Sequence, residues 1–573
     1  MKKKRNHKCG STLPGISELH RLAPTALAAA LFALAAGSAH AGPAGGVVVG
    51  GSGNIHQPDS NTTNVHQHSN RMAVQWDSFN LAPGQTVNFH QPSSSAFVLN
   101  QILDANASVI RGQINANGNV VLVNSAGIYF SETAQLNVGS LIASGHSLSV
   151  DDFMAGYLRF QREAGKEGRV INRGTINAAT GGSVTLLGSS VENSGNIYAK
   201  AGRVNLAVGE RITLDFDGDG LMRFAVDEAL LENIDGLDSA IHNTGNISAD
   251  GGSVIIDGRV AQDVFSRVVN NEGIIQAGRI ENTGGEIRLV GSGGSGSSVV
   301  NTGQISASAL DDQSSGGQIT LHAEDDTLLV SGESRIDASS SNQQGGQIHL
   351  LGNQIGLSGT TQVDASGATG GGEILIGGDY QGLNTDIPNA DKVVVTSGVT
   401  LNADATHNGD GGRIITWADN WTRFAGSLSA RGGDNGGNGG FAEVSGKQNL
   451  LFEGRADLRS STGITGTLLL DPENIIITQN TDTDGITFPV NFADGVGADY
   501  SIRASTINSL GLTTHVILEA NNNISQAGTN ANFLIDIASN HGITLRAGNS
   551  ISIGRGIITQ GGNITLEAHS VDA

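Results

Sequence analysis

A chain of 573 residues holding 82 Gly, 9 Pro, 4% aromatic and 15% charged residues, with 38% apolar residues, excludes both a disordered polymer and an ordinary globular mixture. Its net charge of −22 opposes unaided binding to phosphate backbones or anionic lipid, so nucleic acid is not an expected partner. Abundant Gly, Asn, Ser, Val and Ile suit short strands and tight turns, because Gly and Asn accept positive φ and β-branched side chains fill a narrow pleated core.

Residues 1–41 read as a secretory signal cleaved after Ala41. Lys2, Lys3, Lys4, Arg5, Lys8 and Arg21 form a basic stretch, residues 26–36 an apolar run, and Ala39-His40-Ala41 a small-x-small cleavage site. The apolar run is shorter than the roughly 20 residues that span a bilayer. Cleavage would remove Cys9, the single cysteine, leaving an exported chain without disulfides or thiolate metal sites.

Between residues 42 and 150 a series of phrases follows in order: Trp76-Asp-Ser-Phe-Asn80, Thr86-Val-Asn-Phe-His90, Ala96-Phe-Val-Leu-Asn100, Ile110-Arg-Gly-Gln-Ile114, the run 116–130 and Val138-Gly-Ser-Leu-Ile-Ala143. From about residue 170 a repeat takes over. Its first half, Asn-x-Gly-x-Ile-x-Ala, occurs at 172–178, 193–199, 243–249 and 301–307. Its second half, Gly-Gly followed by alternating apolar residues, begins at Gly181, Gly251, Gly284, Gly316, Gly345, Gly371 and Gly411, spaced from Gly284 onward by 26 to 40 residues. One unit, 318–339, holds three period-2 runs broken by polar turns. Three strands per turn predict an all-β chain, a right-handed parallel β-helix, in which inward side chains stack coil on coil.

The expected divisions are a cap over 42–165, β-helix repeats over 166–470 and looser repeats over 471–573, with no closing cap legible before Ala573. Two stretches break the period and predict extra-helical loops or hairpins: the acidic stretch 215–240, and 379–392 with Pro388. Asp215-x-Asp217-x-Asp219-Gly220 opens like a calcium loop, but Val226 stands where the bidentate Glu should be and Glu228 is two residues late, so an acidic turn is expected. His56, His66, His68 and His90 match no standard zinc or haem spacing and read as solvated loop histidines. The glycine-rich 431–440 lacks the Lys-Ser/Thr of a phosphate loop. A β-helical carbohydrate-active enzyme would need Asp, Asp and Arg or Lys on adjacent coils, and no such set is legible. No catalytic residue, metal or cofactor is expected.

The phrases from Trp76 to Ala143, with 204–216 and 466–472, resemble the N-terminal secretion domain of two-partner-secretion exoproteins of the filamentous haemagglutinin type. That resemblance implies recognition in the periplasm by a partner outer-membrane β-barrel transporter, passage in the unfolded state, and folding that starts at the secretion domain. It also implies a location in the medium or on the bacterial surface, a monomer, and adhesion to a host glycan or cell-surface receptor; haem binding and toxin delivery are alternatives within the same pathway. The family's signature turn Asn-Pro-Asn-Gly-Ile corresponds to Asn124-Ser125-Ala126-Gly127-Ile128, without the Pro and second Asn. With Asn117 and Gly118 it makes the candidate secretion motif, leaving open whether the turn touches the transporter or shapes the domain.

Overall fold

The structure, a computed structural model, describes residues 42–216, 222–233, 235–294, 296–479, 500–526 and 534–569. The expected signal segment lies outside them.

The chain winds into a three-faced parallel β-helix. A first face starts with Arg71–Trp76, Phe97–Ile102 and Asn119–Val123, a second with Ser108–Ile110, Ile128–Phe130 and Arg169–Asn172, and a third with Thr62–Gln67, Thr86–His90 and Gln113–Ala116. Strands of equal face pair in parallel from coil to coil, and the third face forms one sheet of 15 strands. The first two faces share a 28-stranded sheet because some strands run round the corner between them. The unit 318–339 shows how: Gln318–Val330 is one strand, where the sequence suggests two separate runs. Its pairing shifts register between Ala323 and Thr327, and Asp325 at positive φ turns the corner without ending the strand.

The repeat residues have separate tasks. The isoleucine of Asn-x-Gly-x-Ile-x-Ala points inward on the third face, and Ile176, Ile197, Ile247, Ile275, Ile305 and Ile336 stand in direct register. Burying each such side chain stabilises the fold by about 1.5–3 kcal/mol. The Gly-Gly pairs lie where the chain turns from the third face to the first and successive coils nearly touch. A Cβ on Gly202, Gly252, Gly346, Gly372, Gly412, Gly440 or Gly466 would stand 1.8–2.1 Å from the carbonyl oxygen of the glycine one coil earlier.

The asparagine of the repeat turns inward and forms a buried ladder. Asn172 Nδ2 donates to Asn193 Oδ1 at 2.8 Å, and Asn193 to Asn243, Asn243 to Asn271 and Asn271 to Asn301 each at 2.7 Å. Asn301 ends the series on Ser334 Oγ at 2.6 Å. Each amide satisfies its neighbour, as buried polar groups require.

Antiparallel strands close the N-terminal end of the helix. Val47–Gly50 pairs with Arg71–Trp76, and Gly53–His56 with Thr62–Gln67, covering an edge that would otherwise offer unpaired backbone groups. After Ser144 the chain leaves the solenoid for a short helix, Val150–Ala155, capped by Ser149 and ended by Gly156 at positive φ. Leu158–Gln161 then joins an antiparallel sheet with the hairpin Arg211–Phe216 and Met222–Glu228. The departure expected at 215–240 is this hairpin, beginning at Arg211; positions 217–220 of the calcium-like phrase lie outside the described residues. Phe153, Leu158, Phe160, Ile212 and Leu214 cover Leu99, Val121, Leu187 and Ala207 on the outer side of the first face. Arg71 clamps this layer, its guanidinium 5.1 Å from the Phe97 ring and 5.3 Å from the Phe153 ring.

The second expected departure is a strap over 377–391, whose Ile387 packs on Leu375, Ile415 and Trp417. Past residue 470 the winding changes. Tyr500–Arg503 pairs with Ile475–Thr478, which in turn pairs with Asn523–Gln526, and the helix Ala504–Leu510 follows directly.

Candidate functional site

The five candidate residues occupy two corners of one coil. Asn117 follows the third-face strand Gln113–Ala116 and binds the backbone of the previous coil twice: its Oδ1 accepts the Gln91 N–H at 2.8 Å and its Nδ2 donates to the Gln91 carbonyl at 2.8 Å. Gly118 is pressed against the same coil, since a Cβ there would stand 2.8 Å from Gln91 Oε1 and 2.9 Å from the Ala96 carbonyl. Its own carbonyl accepts the Gly139 N–H of the next coil at 2.9 Å.

The strand Asn119–Val123, about 16 Å long by its five residues, separates this corner from the turn 124–128. There Asn124 is fully buried and completely bonded. Its Oδ1 accepts the Ala126 N–H at 2.9 Å, and its Nδ2 donates to the Asn106 carbonyl at 3.1 Å and to Ser108 Oγ at 3.0 Å. Gly127 has positive φ, donates to the Asn124 carbonyl at 2.9 Å, and leaves no room for a Cβ, which would stand 2.9 Å from the Arg169 carbonyl. Ile128 enters the core between Ser108 and Val170. The side-chain oxygen of Asn124 thus holds the turn with Ser125 and Ala126 in place of the family pattern's Pro and second Asn. The five residues do not converge on a pocket; they join one coil to its neighbours.

Of the four N-terminal histidines, His66 and His90 are cross-strand neighbours on the outer third face, stacked with ring centroids 4.6 Å apart, while His56 pairs with Asn64. Beside them runs an outer amide row, Asn64, Asn88, Asn115, Asn137 and Asn177, bonded at 3.0–3.3 Å. Among the described residues no group of three or more His, Cys, Asp or Glu could hold a metal ion. The corner glycines from Gly284 to Gly466 floor a groove of about 1110 Å³ whose walls include Gln318, Gln347, Glu373, Arg413 and Phe441.

The strap covers two acids, Asp471 of the phrase 466–472 and Glu443, which the sequence did not single out. Glu443 is fully buried, and its carboxylate accepts the Gln381 N–H at 3.2–3.3 Å. Asp471 is also buried, and its Oδ1 has no partner among the described residues. Burial pushes each carboxyl up to about 7; the Glu519 carboxylate raises Asp471 further, while Ser445 and Gln381 oppose the shift at Glu443. Arg413, which pairs with Glu373 and Asp379, also favours the Glu443 anion. Exposed, these groups ionise at about pH 4; under the strap they hold their protons to about pH 7. These two carboxyls therefore favour docking most at about pH 4 and progressively less as pH rises to about 7, whereas the strap's own Asp379, held low against its burial by hydrogen bonds and by Arg413, favours docking above about pH 4 and loses that share in stronger acid. Protection of 377–391 from proteolysis should be higher at about pH 5 than at about pH 8, by up to about tenfold per pH unit for each carboxyl within the window. Glu443→Gln should make the dependence shallower, leaving the share of Asp471, and an unchanged profile in that variant would remove Glu443 as one of its sources.

Residues 39–307 match the family model of the TPS secretion domain. The chain is 29% identical over 255 residues to a heme/hemopexin-binding protein of Haemophilus influenzae strain Rd, across 43% of this chain and 27% of that protein. A second Haemophilus influenzae heme/hemopexin-binding protein is 23% identical over 260 residues, across 42% and 27% of the two chains. The aligned part thus spans about a quarter of these relatives' length. Among solved structures, the HMW1 secretion domain from Haemophilus influenzae superposes with a TM-score of 0.56 at 25% identity, covering 75% of this chain and 100% of that one.

Proposed function

We propose that this chain, which carries a TPS secretion domain over residues 39–307, is an exoprotein of a two-partner secretion system whose N-terminal domain delivers it to an outer-membrane β-barrel transporter. The observation that carries the reading is the coincidence of the matched segment with the antiparallel cap, the outer sheet and the first coils of the solenoid. Its mechanism follows from the winding. Coils bond to the coils next to them in the chain, so a chain emerging end-first from a pore can add coils one at a time to a finished cap. Asn117, Gly118, Asn124, Gly127 and Ile128 serve this step by fixing the coil 113–138 to its neighbours, so that later coils find a template.

For the exported β-helix we propose adhesion, with the glycine-floored groove as the surface on which an extended host glycan would lie. A second reading, haem acquisition, is supported by the two relatives named for binding heme and hemopexin. Glycan-array binding against a haem titration separates the two.

The pathway is tested by deleting residues 42–307 while retaining 1–41. The expected result is loss of the protein from the medium and the cell surface, with material held in the periplasm. Continued export of the deletion variant would refute the secretion-domain reading. Sequencing the exported protein's N-terminus checks cleavage after Ala41.

A further inference from the structure

The joint between solenoid and outer sheet contains a side chain that the secretion reading does not use. His146 follows the strand Ser140–Ser144 and is fully buried. Neither its Nδ1 nor its Nε2 has a hydrogen-bond partner among the described residues. Its backbone is fixed, with its N–H donating to Ser144 Oγ at 2.9 Å and its carbonyl accepting from the same hydroxyl at 2.7 Å. The next residue, Ser147, pairs antiparallel with Gln161 of the outer sheet. The charged side chain bearing on the imidazole is Arg162, itself buried, with its Nε unpartnered. Its other guanidinium nitrogens reach Glu210 at 3.5 Å and Glu232 at 3.1 Å, before and after the hairpin 211–228. The two acids pair with Arg162 on its far nitrogens, and neither bonds to the imidazole.

We propose that His146 is an acid-release latch: its protonation undocks the helix Val150–Ala155 and the three-stranded outer sheet from the first face, baring Leu99, Val121, Leu187 and Ala207 while the coils stay paired. An imidazolium there would lack an acceptor and face a guanidinium, and both costs vanish when the sheet lifts. In the docked state burial, and then the Arg162 charge, hold the ring's pKa down to about 3 against 6.5 when exposed. Above pH 6.5 both states are neutral and the latch holds. Between 6.5 and about 3 only the open state takes the proton, so opening gains about tenfold per pH unit, about 100-fold by about pH 4.5.

The test is hydrogen exchange on the full exported chain at pH 7.5, 6.5, 5.5 and 4.5, corrected for intrinsic rates. Protection of Leu158–Gln161 and of the hairpin strands should fall about 100-fold between pH 7.5 and 4.5, while Ser253–Gln262 and Gln304–Ser306 keep theirs. In His146→Leu the fall should disappear. A flat wild-type profile, or an unchanged fall in His146→Leu, would overturn the proposal. Should that variant not fold, NMR of histidine-labelled wild type decides: the His146 ring should stay neutral at about pH 5 in the docked state, and a native titration near 6.5 refutes the latch.

Discussion

Gly252→Val will cost the β-helix about 3 kcal/mol of local stability, and its measure is the loss of exchange protection in the strands 203–208 and 253–262. A Cβ on Gly252 would stand 1.8 Å from the Gly202 carbonyl oxygen and 2.8 Å from the Gly202 nitrogen and carbonyl carbon. Backbone atoms cannot rotate away as a side-chain tip can. Relief requires the two coils to part by about 1 Å against a strand spacing of about 4.8 Å, which weakens hydrogen bonds on both adjoining faces. Gly252 has no positive φ, so the effect isolates crowding from backbone strain. Gly436 supplies the comparison: a Cβ there meets only Asn408 Oδ1 at 3.9 Å, and Gly436→Ala should stay within about 0.5 kcal/mol of wild type. Equal costs at the two positions would show that the corner glycines are not dictated by coil contact.

The glycine case also shows what kind of information the sequence holds. Recurring Gly-Gly pairs and alternating apolar residues exposed the period, the strands and the inward isoleucines, because burial imposes a side-chain periodicity that composition cannot hide. They did not expose the reason for the glycines, since an Asn-x-Gly or Gly-Gly phrase reads equally well as an isolated turn. The helix Val150–Ala155 is too short for a periodic signal. Ser149, Asp151, Asp152 and Gly156 were its only readable marks. The outer sheet was harder still: Leu158 and Phe160 alternate like any strand residues, and nothing local says that their partners Leu214 and Ile212 lie some 50 positions away. His146 and Glu443 have ordinary neighbours in sequence and become unusual only once covered.

These two covered groups give the molecule opposite responses to acid. The docked imidazole refuses the proton that the exposed ring accepts below pH 6.5, so the outer sheet at the N-terminal end is held more weakly as pH falls below that value. The carboxyls beneath the strap accept burial more readily as protons become available, so the strap at 377–391 is held more tightly over part of the same range. A solenoid allows this because distant coils share no contacts and open independently.

Asn243→Ala will cost about 2–5 kcal/mol, because it strands two buried groups at once. The Asn193 Nδ2 loses its acceptor at 2.7 Å, and the Asn271 Oδ1 loses its donor at 2.7 Å. Exchange protection of 190–193, 239–243 and 267–271 is the appropriate measure, since a stacked array need not unfold in one step. The ladder also predicts how such costs combine. Asn243 and Asn271 share one bond, so removing both leaves only Asn193 and Asn301 unsatisfied, the same number of orphaned partners as removing either alone. The double variant should therefore cost clearly less than the sum of the singles. Asn172 and Asn301 share no bond and are separated by the three intervening rungs, so their costs should add to within about 0.5 kcal/mol. Additivity at the adjacent pair would mean that each amide is held by its own coil rather than by the ladder, and the repeat's asparagine would then be a turn residue alone.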